Sequence, residues 1–421
     1  MNIYFAGIGG VALGPLAEIA RDAGYTICGS DPSEGLMTQQ LRQSGVTISN
    51  DQSGDFLAQS HQAKPIEWFV YTSAMPSDHP EIIKARELNI PHIVKRDEFI
   101  NFITKATDLK MIAAAGTHGK TTTTAMLIWV FQQLNIPVSY SVGSTISYGP
   151  SGKYTPGSRY FIYECDEFDR NFLAFSPEIS LITSIDYDHP DTYPTREDYL
   201  TAFTQFIAQS SQVIMWEASV QEGLTVGNAA WRLQPNEVLN IKLPGAHNRA
   251  NATLVAKAIE YLHLADAQQV ITALESFPGS TRRFEKLAPN LYTDYGHHPA
   301  EIAATLQMAR EVSDRVVLVY QPHQNVRQHQ IRDQYTDCME LAEQIFWLPT
   351  YLTREDPHLP LLTPLELTEN LVNKSEVAYA ELNDELWQYI TAARKQGKLV
   401  LCMGAGSVDG WLRSNINSVS S

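Results

Sequence analysis

Lys110-Met111-Ile112-Ala113-Ala114-Ala115-Gly116-Thr117-His118-Gly119-Lys120-Thr121-Thr122 joins an apolar, β-compatible run to a two-glycine loop and then to a helix expected to reach about Leu134. A strand that feeds a glycine loop at a helix start converges backbone N–H groups and the helix dipole on an anion. Gly116, Thr117, His118, Gly119, Lys120, Thr121 and Thr122 are therefore the expected nucleotide-phosphate cradle. Lys120 would reach the outer phosphates, and Thr121 or Thr122 would offer a hydroxyl to Mg²⁺. The standard spacing G-x-x-x-x-G-K-[ST] would put its first glycine at 114, where this chain has alanine. A bare strand-to-helix turn with a solvated lysine is the bland alternative, and the strand and helix on either side argue against it. In the helix itself, Trp129 and Phe131 read as core rather than as a ligand platform.

The neighbours of the loop bear on its chemistry, because in an open parallel sheet ligands gather beyond the carboxyl ends of the strands. Residues 160–163 lead into Glu164, Asp166 and Glu167, and the expected strand 179–185 leads into Asp186, Asp188 and His189. These are candidate Mg²⁺ ligands, since Mg²⁺ takes hard oxygens and often combines one protein carboxylate with phosphates. Taken singly, Asp166, Glu167, Asp186 and Asp188 are each as readily solvated loop residues, Glu164 less so.

A chain of 421 residues is too long for one ordinary core. Its strands and helical stretches alternate in an α/β pattern within three segments, read as domains at 1–107, 108–285 and 286–421. In the first, a strand at 2–6 meets a glycine loop, a helix at 13–23 and a strand at 25–28. Gly7-x-Gly9-x-x-Ala12 with Asp31 at the end of the next strand would by itself favour NAD and an oxidoreductase. A phosphate loop in a second domain is not explained by that class. The balance of 31 basic against 47 acidic residues, net charge -16, argues against a broad contact with nucleic acid. Cys28, Cys165, Cys338 and Cys402 have neither metal-ligand spacing nor the look of a disulfide framework. No stretch has the length of a membrane span or the form of a signal peptide, so a cytoplasmic protein is expected.

Read in order, the motifs resemble the Mur ligase family over nearly the whole chain. Gly116 to Thr124 looks like the family's phosphate loop, and Glu164-Cys165-Asp166-Glu167-Phe168-Asp169 is similar to its acidic segment. Asp188-His189 looks like its metal-side pair, and Gly245-Ala246-His247-Asn248-Arg249-Ala250-Asn251 resembles its G-x-H-N-x-x-N. Arg282-Arg283-Phe284-Glu285 and Asp294-Tyr295-Gly296-His297-His298-Pro299 are similar to the segments that close on nucleotide and substrate. Gly7-Ile8-Gly9-Gly10 with Ser30-Asp31 is similar to its UDP-sugar domain. Ala12-Leu13-Gly14 and a short 215–244 depart from the pattern. No lysine occurs between Lys153 and Lys242, so the carbamoylated lysine of several relatives is absent.

The resemblance implies a Rossmann-like UDP-binding domain, a central P-loop ATPase domain with a mostly parallel sheet and a C-terminal Rossmann-like domain. It implies ATP and Mg²⁺, with UDP-N-acetylmuramate and L-alanine as small-molecule substrates; the sibling branch attaches a ready-made tripeptide instead. Neither nucleic acid nor membrane is an expected partner, and a monomer or weak dimer is. Implied roles are Lys120 on phosphate, Thr121 and Glu164 on Mg²⁺, and His189 orienting metal or water. His247, Asn248 and Asn251 would approach adenine, Asp294 ribose, and Arg283 or His298 phosphate or substrate. Gly7, Gly9, Gly10, Ser30 and Asp31 would hold the UDP-sugar. A carboxylate is a poor electrophile, so ATP would first convert it to an acyl phosphate, a step that needs positioning and charge stabilisation but no covalent nucleophile.

Overall fold

Strands β1 (Asn2–Ala6), β2 (Thr26–Ser30), β3 (Thr47–Ser49), β4 (Trp68–Tyr71) and β5 (His92–Lys95) form a parallel sheet in the order β3-β2-β1-β4-β5. The structure is a computed structural model that describes residues 1–72, 75–189, 192–227, 230–353 and 355–420, with side chains to 417. Every residue of β1 is buried, as a central parallel strand covered on both faces requires. Winding reverses between β3 and β4, so the crevice beyond the carboxyl end of β1 is a switch point, and Gly7 follows there.

A second sheet contains β6 (Lys110–Ala115), β7 (Val138–Ser141), β8 (Gly152–Lys153), β9 (Tyr160–Glu164), β10 (Ile179–Ile182), β11 (Gln212–Trp216) and β12 (Ala230–Leu233). Its order is β12-β11-β10-β6-β9-β7-β8, with β7 and β8 antiparallel and the other pairs parallel. β6 is central, flanked by β9 and β10, so the loop that leaves it lies between the two acid-bearing strand ends. A third sheet contains β13 (Glu285–Ala288), β14 (Leu291–Asp294), β15 (Val316–Tyr320), β16 (Gln344–Trp347), β17 (Val377–Tyr379) and β18 (Leu399–Met403). It runs β13-β14-β18-β15-β16-β17, antiparallel at its first pair.

The chain folds into two compact units, one made of Met1–Leu239 with Asn251–Pro278 and the other of Asn240–Ala250 with Gly279–Ser421. In the first unit the two sheets share an apolar core that runs from Ile3, Phe5 and Phe99 to Met111, Phe161 and Phe172. Each fully buried side chain of that size contributes about 1.5–3 kcal/mol relative to exposure. The contact is tight at Gly152, where an added Cβ would lie 2.0 Å from the Pro15 carbonyl oxygen. There the Gly152 N–H donates to Glu18 Oε2 at 3.0 Å. In the second unit the sheet is covered on one face by Ile302, Leu306 and Tyr335 and on the other by Leu386, Ile390 and Leu412.

Element boundaries differ from expectation at three places. The first helix spans Gly14–Asp22 and the second strand extends to Ser30. The strand expected to end at Ile185 stops at Ile182, because its neighbour β6 gives way to Gly116 at φ 126° and the ladder loses its partner. Among the described residues no helix is long and apolar enough to cross a membrane.

Candidate active site

Gly116 is required where it stands: its φ of 126° disfavours any side chain, and a Cβ there would lie 2.4 Å from Thr183 Oγ1. The loop is tied to the segment after β10. Thr117 N–H donates to the Ser184 carbonyl and His118 N–H to Ser184 Oγ, both at 3.0 Å. Thr117 Oγ1 donates to the Asp186 carbonyl and accepts from the Asp186 N–H, each at 2.8 Å. These two residues therefore shape the loop. Anion-binding capacity lies one step on, where Gly119, at φ 85°, opens the helix Lys120–Gln133 with no side chain capping it. The first-turn N–H groups have no intrahelical acceptor and carry the positive end of the dipole. Asn251 packs against this turn, its Nδ2 lying 3.0 Å from where a Cβ on Gly119 would be.

Lys120 is the centre of the site. Its ammonium donates to the carbonyls of Gly116 at 2.7 Å and Thr117 at 3.2 Å, and to Glu167 at 3.0 Å and 2.7 Å. The lysine side chain is 13% exposed and that of Glu167 1%. Burial opposes charge on Lys120, but the carboxylates of Glu167, Asp166 and Glu164 outweigh it and hold the ammonium above its usual range. Burial likewise opposes charge on Glu167, yet Lys120 and the His189 contact keep its carboxyl below the usual carboxylate range. His189 Nε2 stands 3.6 Å from Glu167 Oε1 and 3.9 Å from Asp188 Oδ2. Burial would lower the His189 imidazole, and the bond to Glu167 with the field of Asp188 raises it instead. Its backbone is left-handed at φ 58°, as are Asp169 and Arg170 at 54° and 57°. Such strain in non-glycine residues collects at functional sites.

Beside the lysine, Thr121 Oγ1 donates to Glu164 Oε1 at 2.7 Å, and Glu164 Oε2 accepts from the Gly143 N–H at 2.9 Å. The structure thus brings Thr121 to Glu164, and Lys120 and His189 to Glu167. Among the described residues no group of three or more His, Cys, Asp or Glu side chains has metal-binding geometry. A hydroxyl and a carboxylate in contact beside an anion-binding turn suit Mg²⁺, which completes its shell with phosphate and water oxygens. Glu167 was one of several acids the sequence offered, and only its burial against Lys120 distinguishes it. Phe131 is buried as a core residue, whereas Trp129 is half-buried, its indole N–H donating to the Ala273 carbonyl.

At the mouth of the first sheet, Gly7 and Ile8 donate their N–H groups to the Ser30 carbonyl at 2.8 and 3.0 Å. Gly9 donates to Asp31 Oδ2 at 2.8 Å, and Gly10 to the Gly7 carbonyl at 3.1 Å. Asp31 Oδ1 accepts from the Ser33 N–H at 3.0 Å, so this carboxylate staples its own loop. Underneath, buried Glu81 accepts from Tyr4 OH at 2.6 Å and Ser30 Oγ at 2.8 Å. No sequence signal pointed to Glu81.

In the second unit, Arg282 and Phe284 are left-handed, at φ 57° and 47°. The guanidinium carbons of Arg282 and Arg283 lie 4.7 and 5.2 Å from the Tyr295 ring centroid. Asp294 is buried and accepts from the N–H groups of Phe284 and Gly296, both at 2.7 Å. Burial pushes its carboxyl up to about 6. His298 caps the helix Pro299–Val312, its Nδ1 accepting from the Ala300 N–H at 3.3 Å. Burial lowers His297 to about 4, keeping it neutral. His247 is also lowered to about 4 by burial, and its Nδ1 finds no hydrogen-bond partner among the described residues. Asn248 Nδ2 donates to the Pro244 carbonyl at 3.0 Å.

Residues 2–106 match the catalytic domain of the Mur ligase family, 114–222 the Mur ligase middle domain and 282–406 the Mur ligase glutamate ligase domain. The chain belongs to the Mur ligase family, whose members are ATP-dependent ligases. This family, and not an NAD-dependent oxidoreductase, accounts for the glycine loop after β1. Within it, a Clostridium perfringens (strain 13 / Type A) relative named UDP-N-acetylmuramate--L-alanine ligase is 30% identical, over 97% of this chain and 96% of its own length. An Azorhizobium caulinodans relative of the same name is 28% identical over 97% and 96%. The solved UDP-N-acetylmuramate-alanine ligase from Thermotoga maritima is similar at a TM-score of 0.79 and 25% identity, over 100% of this chain and 99% of that one. A murein peptide ligase from Psychrobacter arcticus shares the fold at a TM-score of 0.65 and 23% identity, over 99% and 98%.

Proposed function

We propose that this chain uses ATP to join L-alanine to UDP-N-acetylmuramate in peptidoglycan precursor synthesis, the ligation its curated relatives are named for. The observation that carries the reading is the buried Lys120–Glu167 pair at the mouth of the central sheet, in a chain similar to those ligases over 97% of its length. ATP with Mg²⁺ supplies the phosphoryl group that turns the substrate carboxylate into an acyl phosphate, open to attack by the amine nitrogen.

The chain's own residues position and stabilise. Lys120 and the first-turn N–H groups of Gly119 to Thr122 offset phosphate charge, the kind of preorganised contact that contributes most to such transfers. Lys120 would meet the triphosphate from where it now holds Glu167, whose carboxylate also has His189 Nε2 at 3.6 Å. Thr121 and Glu164 would hold the metal, and His189 would orient metal or water. Asn251, beside the loop in the first unit, reads adenine; in the second unit His247, whose buried Nδ1 has an acceptor or donor position to fill, and Asn248 are the residues assigned to the base. Asp294 meets ribose through its remaining lone pairs, and Arg283 or His298 meets phosphate or substrate. Gly7, Gly9, Gly10, Ser30 and Asp31 form the UDP side. The three sheets are taken as domains at 1–107, 108–285 and 286–421, in a cytoplasmic monomer or weak dimer.

Phosphate release measured with ATP, Mg²⁺ and UDP-N-acetylmuramate, against L-alanine, glycine, L-serine and a tripeptide, tests the reading. The expected result is release that requires both the sugar nucleotide and an amine and is fastest with L-alanine. Equal release without the sugar nucleotide would leave a plain nucleotide hydrolase, and preference for the tripeptide would move the chain to the recycling branch.

A further inference from the structure

Two buried tyrosines stand behind the site, the Tyr199 hydroxyl against the phosphate loop at Thr117 and the Tyr193 hydroxyl against the acidic segment at Glu167. Thr195-Arg196-Glu197-Asp198 forms a capping box, with Asp198 N–H donating to Thr195 Oγ1 at 3.1 Å and Thr195 N–H to Asp198 Oδ2 at 3.2 Å. That box fixes the start of the helix Arg196–Gln209 and hence the place of Tyr199 one residue later. Tyr199 is 0% exposed, and its hydroxyl lies 2.7 Å from Thr117 Oγ1, the oxygen that also clasps Asp186. Tyr193, also 0% exposed, packs edge-on against Tyr199 at 4.9 Å. Its hydroxyl donates to the Glu167 carbonyl, and its N–H donates to the His189 carbonyl at 2.8 Å. Tyr193 therefore ties both ends of the 3.6 Å contact between Glu167 and His189.

A buried tyrosine needs some partner for its hydroxyl, and any nearby carbonyl would serve. Phe172, Phe203 and Phe206 continue the same aromatic cluster with no hydroxyl at all, and half-exposed Tyr187, edge-on to Tyr199 at 6.0 Å, turns its hydroxyl to the Tyr193 carbonyl. The two buried hydroxyls, those of Tyr193 and Tyr199, reach the two stretches of chain that hold Lys120 and its counterion. We propose that Tyr193 and Tyr199 are positioning residues: through their buried hydroxyls they fix Glu167 and Thr117, and so the spacing of ammonium, carboxylate and imidazole at the phosphate loop. This rests on the loop being the ATP site of the ligase.

The test uses the full chain and compares Tyr193→Phe, Tyr199→Phe and the double variant with wild type, each assayed well below its own Tm. For Tyr199→Phe, kcat falls about tenfold and KM for ATP rises, on the scale of misplaced positioning groups. For Tyr193→Phe, kcat falls similarly and the Mg²⁺ concentration giving half-maximal rate rises severalfold. The double variant loses less than the product of the two. Thr117→Val removes the same bond from the other side together with both bonds to Asp186, so it should lose at least as much kcat as Tyr199→Phe with a raised KM for ATP, an effect readable even if a tyrosine variant fails to fold. Wild-type kcat, KM for ATP and Mg²⁺ response in the variants, or losses that track only the unfolded fraction, would overturn the proposal. Absence of ATP turnover in wild type would instead remove the reading beneath it.

Discussion

At the scale of single residues, the site is organised by a charge that is already neutralised. Lys120 is held by two loop carbonyls and by Glu167, which is 1% exposed. Removing only the lysine would strand a buried carboxylate, which costs about 3–5 kcal/mol. Lys120→Ala should therefore lose both stability, read by urea unfolding, and at least about a hundredfold in turnover, the scale of other lost transition-state charge contacts. Adding Glu167→Gln should restore most of the stability and none of the turnover. Recovery of turnover in the double variant would remove Lys120 from the chemistry. Glu164→Ala, which takes the carboxylate from Thr121 and Gly143, should raise the Mg²⁺ concentration needed for half-maximal rate; an unchanged titration would count against its metal role. The sequence could name Glu164 and Glu167 because both follow an apolar run into a loop. It favoured Glu164 as the metal ligand but could not place Glu167 against the lysine, since that contact joins residues 47 apart in the chain.

The elements show how a strand, a turn and a helix impose this geometry. Gly116→Ala would force a side chain into a φ of 126° and within 2.4 Å of Thr183 Oγ1. A stability loss of about 1–3 kcal/mol with a raised KM for ATP is expected, the range of other strained backbone positions. Glu18 joins the first helix to β8 by accepting from the Gly152 N–H, and burial pushes its carboxyl up to about 7 from an ordinary 4.5. A raised acid binds its proton more tightly when folded, so its contribution is greatest below pH 4.5 and is lost as pH rises toward 7. Thermal unfolding of wild type should weaken across that window relative to Glu18→Gln by something of order 1–3 kcal/mol, and parallel curves would show that Glu18 does not titrate there. The strand–loop–helix around Gly116 was legible because apolar runs and glycines mark it locally. Glu18 was not, because one acid on an amphipathic helix reads as solvated until the neighbouring sheet covers it. The left-handed backbones of His189, Arg282 and Phe284 were equally hidden, since none of these residues carries the glycine signature of that conformation.

For the whole molecule, motif order carried more than any single motif. The glycine loop after β1 alone suggested a dinucleotide; the phosphate loop, the acidic segment and the Gly245–Asn251 run, in that order, pointed to the Mur ligase family, to which the chain belongs. The packing between the first two sheets, with one shared apolar core and Gly152 against Pro15, had no counterpart in the sequence reading, because contacts between residues 15 and 152 leave no periodic trace. The central claim is that the sugar-nucleotide carboxylate is activated by phosphoryl transfer at the Lys120 loop. Its most direct test is ligation of UDP-N-acetylmuramate labelled with ¹⁸O in the carboxylate, followed by mass spectrometry of the released phosphate. One ¹⁸O per phosphate is the predicted result, and unlabelled phosphate accompanying product would contradict the account.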